Sequence, residues 1–276
     1  MDKLEGSHSV NMPSYHHVHL SEGTPLLPAL PFTLAITAYI IAVIVTSRYY
    51  KPWPIIRTVS WTVGSLFAMT GVTGHLSQRA AGDFQAHMIN HLLLGMLAPL
   101  LMVLAAPMTL VLRTLSIPSA RRVSQALNSW PLRRLTHPAV TAFLHIGGLW
   151  LLYTTSLYTH LHDSSLLYFI VHAHMIVAGY LFTASILYID PIRHRVSFVY
   201  RAAVLVIASA CHGILSKHIY AHPPHGVALE QAEAAGMLMY YGGDVIDIVL
   251  VFILCCQWYR ATKPRRSQNI IHYPAR

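Results

Sequence analysis

Apolar stretches with few interruptions run over residues 29–47, 57–76, 84–112, 138–158, 165–189, 199–217 and 235–258, separated by turns that carry Pro, Ser and charged residues. Each is close to the roughly 20 apolar residues that a helix needs to cross a bilayer core of about 30 Å. The pattern predicts an all-α, polytopic seven-transmembrane helix bundle over 29–258, with a short tail over 1–28 and a basic tail over 259–276. The first tail has no apolar run preceded by a basic cluster, so it does not read as a signal peptide. The third stretch contains Pro99 and Pro107, which remove backbone donors and should kink or break its helix. Residues after Pro107 are then expected near the interface.

Composition agrees with this pattern. Hydrophobic residues make up 54% of the 276 and charged residues only 11%, against roughly 25% charged in soluble domains. The formal charge of +9 raises nucleic acid as a partner, but the basic residues sit beside apolar spans, where they report orientation instead. No nucleic-acid partner is expected; the surrounding partner is the lipid bilayer. Sixteen of the 19 Lys and Arg fall in the first, third and fifth connections and the C-terminal tail, leaving Lys3, Arg79 and Lys217 on the other side. The positive-inside rule then puts the N-terminus outside and the C-terminus in the cytoplasm. Cys211, Cys255 and Cys256 form neither a C-x-x-C pair nor an even framework, so no disulfide scaffold or thiolate zinc site is indicated.

Histidine is the unusual residue, at 19, and it sorts opposite to Lys and Arg. His8, His16, His17 and His19 lie in the outer tail, and His75 at the outer end of the second span. A further set, including His160, His162, His218, His222 and His225, lies at or beyond outer ends, whereas His137, His194 and His272 are cytoplasmic and His145 is within the fourth span. Within the spans, His87 and His91 stand four apart in HMINH, so they share one helix face and can offer two nitrogens to one ion.

In the fifth span His172 and His174 lie about 200° apart around the axis and cannot both address one site. His172 is favoured, because its face continues through Met175 to Gly179, where a small residue permits close helix approach. His212 is the inner candidate of the sixth span, and the adjacent Cys211 reads as a packing residue. Asp244 and Asp247 are embedded in the apolar seventh span, where a carboxylate needs a partner or a wet cavity. Asp247 reads as a supporting acceptor, a proton site or a structural acid, and Tyr240 and Tyr241 as aromatic-belt residues. Imidazoles from several helices with a carboxylate resemble a metal site in a helix bundle, suited to copper, zinc, iron or nickel. Met88 and Met175 each follow a histidine, with core filling as their simpler reading.

The segments Phe84 to Pro107, His172 to Phe182 with Asp190-Pro191, Cys211 to His218, and Ala235 to Arg260 together resemble the seven-span CtaG family of bacterial cytochrome c oxidase assembly factors. That resemblance implies a multi-pass protein of the bacterial inner membrane that helps install copper in a haem-copper oxidase. It is not expected to be an enzyme. It also implies that His87, His91, His172, His212 and Asp244 form the copper site, with the apo-oxidase as partner and a periplasmic protein as possible copper donor. Tyr168 stands where many relatives carry a further histidine. The histidine-rich N-terminal tail is read either as a low-affinity copper collector or as a solvated tail.

Two other classes compete with this reading. Facing histidines could ligate haem in an electron-transfer cytochrome, which a Soret band would reveal. A metal-ion transporter or metalloenzyme could extend a path inward through His145 and Asp247.

Overall fold

The computed structural model describes residues 26–161, 163–191 and 195–263. Among these residues every regular element is helical. In chain order these are α1 (Leu26–Tyr49), α2 (Ile55–Val72), α3 (His75–Ala80) and α4 (Phe84–Leu104), then α5 (Pro107–Thr114), α6 (Ile117–Leu127), α7 (Trp130–Leu135) and α8 (Pro138–Thr154). The remainder are α9 (Leu157–His160), α10 (Ser165–Leu187), α11 (Phe198–Ala221) and α12 (Leu229–Thr262).

Six helices, α1, α2, α4, α10, α11 and α12, are long and apolar enough to cross a membrane. The stretch expected as the fourth span forms α8, an apolar helix of 17 residues and shorter than these six. At 1.5 Å per residue α12 is about 51 Å long, so it outreaches a hydrocarbon core of about 30 Å. The seventh span therefore starts earlier and ends later than its apolar stretch, drawing in Glu230, Glu233 and Arg260. The first helix likewise takes in residues assigned to the leading tail. The rest of both tails, with His8, His16, His17, His19 and His272, lies outside the described residues, as do His162 and His194.

The most buried span is α4, which packs against α2, α10 and α12, while α1 lies at the periphery against α2 and α5. Its start is fixed by Asp83, whose side chain accepts hydrogen bonds from the backbone N–H groups of Gln85 (2.9 Å) and Ala86 (3.3 Å), satisfying two donors of the first turn. Midway, Leu92–Leu97 forms a π-helical turn. Pro99 follows after Ala98 and cannot donate to the Gly95 carbonyl four residues back, so the widened turn absorbs the missing bond. The expected disturbance at Pro99 is present, in the form of this turn.

At Pro107 the helix breaks. Ala106 takes a left-handed conformation with φ of 53°, and α5 departs as a separate helix. The break is pinned from two sides. Tyr39 donates its hydroxyl to the Ala105 carbonyl (2.8 Å) and receives the Trp53 indole N–H (3.0 Å). Asp190 accepts from the backbone N–H of Met108 (3.2 Å) and from both the N–H (2.7 Å) and hydroxyl (2.6 Å) of Thr109. Arg57 and Arg113 both lie over the Trp53 ring, 5.0 Å from its centroid. This end of the bundle is therefore the basic one.

At the opposite end the second span stops at Val72, earlier than its apolar stretch suggested. Thr73 is extended and Gly74 takes a φ of 94°, so His75 begins the separate helix α3 instead of closing α2. Ser77 of α3 hydrogen-bonds to the Tyr168 hydroxyl at 2.7 Å, tying α3 to the start of α10.

Candidate metal centre

The histidine-rich end of α4 carries His87 and His91 one turn apart, both buried. His87 sits in an aromatic box. It stacks parallel to Phe84 at 6.0 Å, meets Tyr153 and Tyr158 edge-on at 5.9 and 5.1 Å, and shares a 3.0 Å hydrogen bond between its Nε2 and the Tyr153 hydroxyl. Tyr158 stands at the mouth of this box. Burial first, and the Asp83 carboxylate second, push its phenol up to about 12.

His91 is one turn deeper and fully enclosed, and among the described residues neither of its ring nitrogens is hydrogen-bonded. It faces His212 of α11, the two ring centroids lying 5.9 Å apart with planes tilted by 31°. His212 is also buried, and its Nε2 has no hydrogen-bond partner among the described residues. Its seat depends on Gly243 of α12, where an added Cβ would lie 2.5 Å from His212 Cε1 and 2.8 Å from Nδ1. His145 of α8, buried and stacked on Phe182 at 5.4 Å, approaches from the third side. A Cβ at Gly95 would touch the His91 ring at 3.3 Å and the His145 ring at 3.8 Å, so the two imidazoles share the space over Gly95.

His172 is buried on α10 and bound locally. Its Nδ1 donates to the Tyr168 carbonyl at 2.8 Å, and its ring stacks on Tyr168 with centroids 3.9 Å apart. That geometry leaves Nε2 as the nitrogen with the lone pair. His174, on the other side of α10, donates from Nε2 to the Leu144 carbonyl of α8 at 3.1 Å. The opposed directions expected of these two residues are seen. Asp244 is partly buried and directly follows the glycine that seats His212. Asp247 is buried and pairs with Ser209.

His91 and His212 are thus brought together, their ring centroids 5.9 Å apart, with His87 and His145 beside them. Among the described residues no three His, Cys, Asp or Glu side chains converge tightly enough to hold one ion. Met88 and Met175 are enclosed in two hydrophobic clusters, and Cys211 packs at the edge of a third, in line with filling roles. Tyr241 is exposed on the lipid-facing side, while the Tyr240 ring receives the Lys217 ammonium at 5.1 Å. Sequence reasoning gave His145 a role only in the transporter or metalloenzyme alternative, and passed over Tyr153. A histidine alone in an apolar span carries no phase information, and an aromatic near a helix end is indistinguishable from a belt residue.

The family pattern described as cytochrome c oxidase caa3 assembly factor (Caa3_CtaG) matches residues 37–261. An uncharacterized protein of Mycobacterium leprae (strain TN) is 24% identical over 256 residues, covering 85% of this chain and 39% of that protein. Uncharacterized proteins of Mycobacterium bovis and Mycobacterium tuberculosis are each 31% identical over 252 residues, covering 82% of this chain and 37% of theirs. The chain thus spans about two-fifths of the length of these relatives. No solved structure matches it significantly.

Proposed function

Because the chain belongs to the cytochrome c oxidase caa3 assembly factor family, we propose that it holds copper within the membrane on the His91–His212 pair and passes it to the apo-oxidase. The observation that carries this reading is the orphaned state of these imidazoles, with both nitrogens of His91 and Nε2 of His212 buried without a partner among the described residues. A buried polar group left unsatisfied costs about 1–3 kcal/mol, and a metal–nitrogen bond offsets that cost. Two such bonds of about 2 Å each suit rings whose centroids lie 5.9 Å apart. Imidazole is a good copper ligand, and two of them on separate helices can release the ion stepwise by ligand exchange.

His87 and His172 supply nitrogens on the approach from the histidine-rich end, and Asp244 supplies charge beside His212. In this reading α8 crosses the membrane as the fourth span and completes a set of seven, the histidine-rich end faces the periplasm of a bacterial inner membrane, and a periplasmic donor loads the ion there. The factor carries copper as cargo and catalyses no covalent step.

Metal analysis of the purified protein tests the site. The unaltered protein should retain copper at neutral pH, as should a His160→Ala variant in the exposed loop. The His87→Ala/His91→Ala and His91→Ala/His212→Ala variants should lose most of it. Equal copper in all four would sink the assignment.

A further inference from the structure

Between the break at Ala106 and the start of α8 the chain leaves the bundle and forms α6 and α7. Neither helix buries a residue, and among the described residues each packs chiefly against its neighbours in the chain. At 11 and 6 residues they are shorter than the roughly 12–15 at which an isolated helix is even marginal in water. Their helicity therefore draws on a surface beyond these contacts.

The two sides of α6 give the chemistry of that surface. At 100° per residue, Ala120, Val123, Ala126 and Leu127 fall on one side, and Arg121, Arg122 and Gln125 on the other. In α7, Leu132 and Leu135 extend the apolar surface, while the Arg134 guanidinium lies over the Trp130 ring, 5.6 Å from its centroid. Leu127, Trp130, Leu132 and Leu135 are exposed, and so are Arg121, Arg122, Arg133 and Arg134. Exposed apolar side chains opposite exposed arginines, with a tryptophan at the boundary, suit a helix lying in the headgroup layer of a bilayer. The positive-inside pattern requires basic residues near the ends of spans, but not their separation from apolar residues around a helix axis.

Charge narrows the partner. No Asp or Glu occurs between Asp83 and Asp163, and none of these arginines has an ion pair among the described residues. The segment also leaves and rejoins the bundle at one end, since α4 finishes at Leu104 and α8 begins at Pro138. That is the basic end, where Arg57 and Arg113 lie over Trp53.

We propose that α6 and α7 form a binding surface for anionic phospholipid. Their apolar side enters the acyl boundary of the leaflet at the basic end, and Arg121, Arg122, Arg133 and Arg134 hold the phosphates of acidic headgroups. A guanidinium suits this task, because its planar fork matches two phosphate oxygens. An acidic protein surface would satisfy the arginines but leave the apolar side without cover. This inference stands apart from the copper reading.

Amide hydrogen exchange of the purified full chain, in nanodiscs of phosphatidylglycerol or of phosphatidylcholine, tests the proposal. Exchange over residues 117–135 should be about tenfold slower in phosphatidylglycerol. The Arg121→Gln/Arg122→Gln/Arg133→Gln/Arg134→Gln variant should lose that difference, with unchanged exchange in α4 showing that its bundle is folded. Val123→Glu/Leu127→Glu, which puts charge on the apolar side, should lose the protection as well.

The unaltered protein alone can overturn the proposal. Equal protection in the two lipids would mean that headgroup charge has no part in holding these helices, and fast exchange in both would assign the surface to a protein partner. Protection that survives either set of substitutions would overturn it too.

Discussion

The backbone of Gly179 on α10 lies directly against the carbonyl oxygen of Gly95 on α4, so that a Cβ at 179 would be driven into that oxygen and would also meet Pro99 Cγ at 3.1 Å. The cause lies one turn further along α4. Pro99 has no N–H to offer Gly95, the π-turn over Leu92–Leu97 turns that carbonyl toward its neighbour, and a glycine Cα–H can approach it as a weak donor. The expected outcome for Gly179→Ala is a lower thermal midpoint in detergent, equivalent to about 1–3 kcal/mol of overpacking. An unchanged midpoint would show that the two helices separate without cost.

Gly243 has the corresponding role for His212. An alanine there would place its Cβ 2.5 Å from the imidazole, and the ring must turn away from its present direction toward His91. Gly243→Ala should therefore lose copper while its melting temperature falls only modestly, a combination that metal analysis and thermal unfolding read independently. Retention of copper at the unaltered level would detach His212 from the site.

How much of this was legible beforehand can be judged from particular residues. The hydrophobic pattern located the long helices because a span of about 20 apolar residues has few alternative explanations. The helical phase of 3.6 residues was enough to separate His172 from His174. Pro99 and Pro107 announced a disturbance, but a proline states only that a donor is missing. Whether the chain widens into a π-turn or breaks depends on what donates to the freed carbonyls. At the break, Tyr39 and Asp190, distant in sequence, supply the bonds. The facing of His91 and His212 rests on Gly243, and the approach of His145 on Gly95. Both are packing relations between helices, which a one-dimensional pattern cannot specify.

Asp190 makes one of these distant bonds. Its carboxylate receives two backbone N–H groups and the Thr109 hydroxyl at the first turn of α5, just after the left-handed Ala106. Asp190→Ala should lower stability by about 1 kcal/mol, the usual cost of losing a helix cap. Hydrogen exchange should rise first at Met108 and Thr109. If protection there is unchanged, the α5 start is held by burial and not by Asp190.

Alkaline stability offers a further measurement. The Tyr158 phenol, near the exit of α8, is raised from 10.0 to about 12, first by burial and then by Asp83. The unfolded chain therefore releases this proton at a lower pH than the folded one. Below pH 10 the neutral phenol favours the folded state in full. Between about pH 10 and 12 the unfolded chain ionises first, and the contribution is lost as pH rises through the folded value. Comparing Tyr158→Phe with the unaltered protein by thermal unfolding from pH 9 to 12 isolates this residue, since both carry every other titrating group. The unaltered protein should lose more stability over that interval than the variant. Parallel losses would mean that Tyr158 is as well hydrated in the folded protein as in the unfolded chain, and that the aromatic box around His87 stands open to water at its mouth.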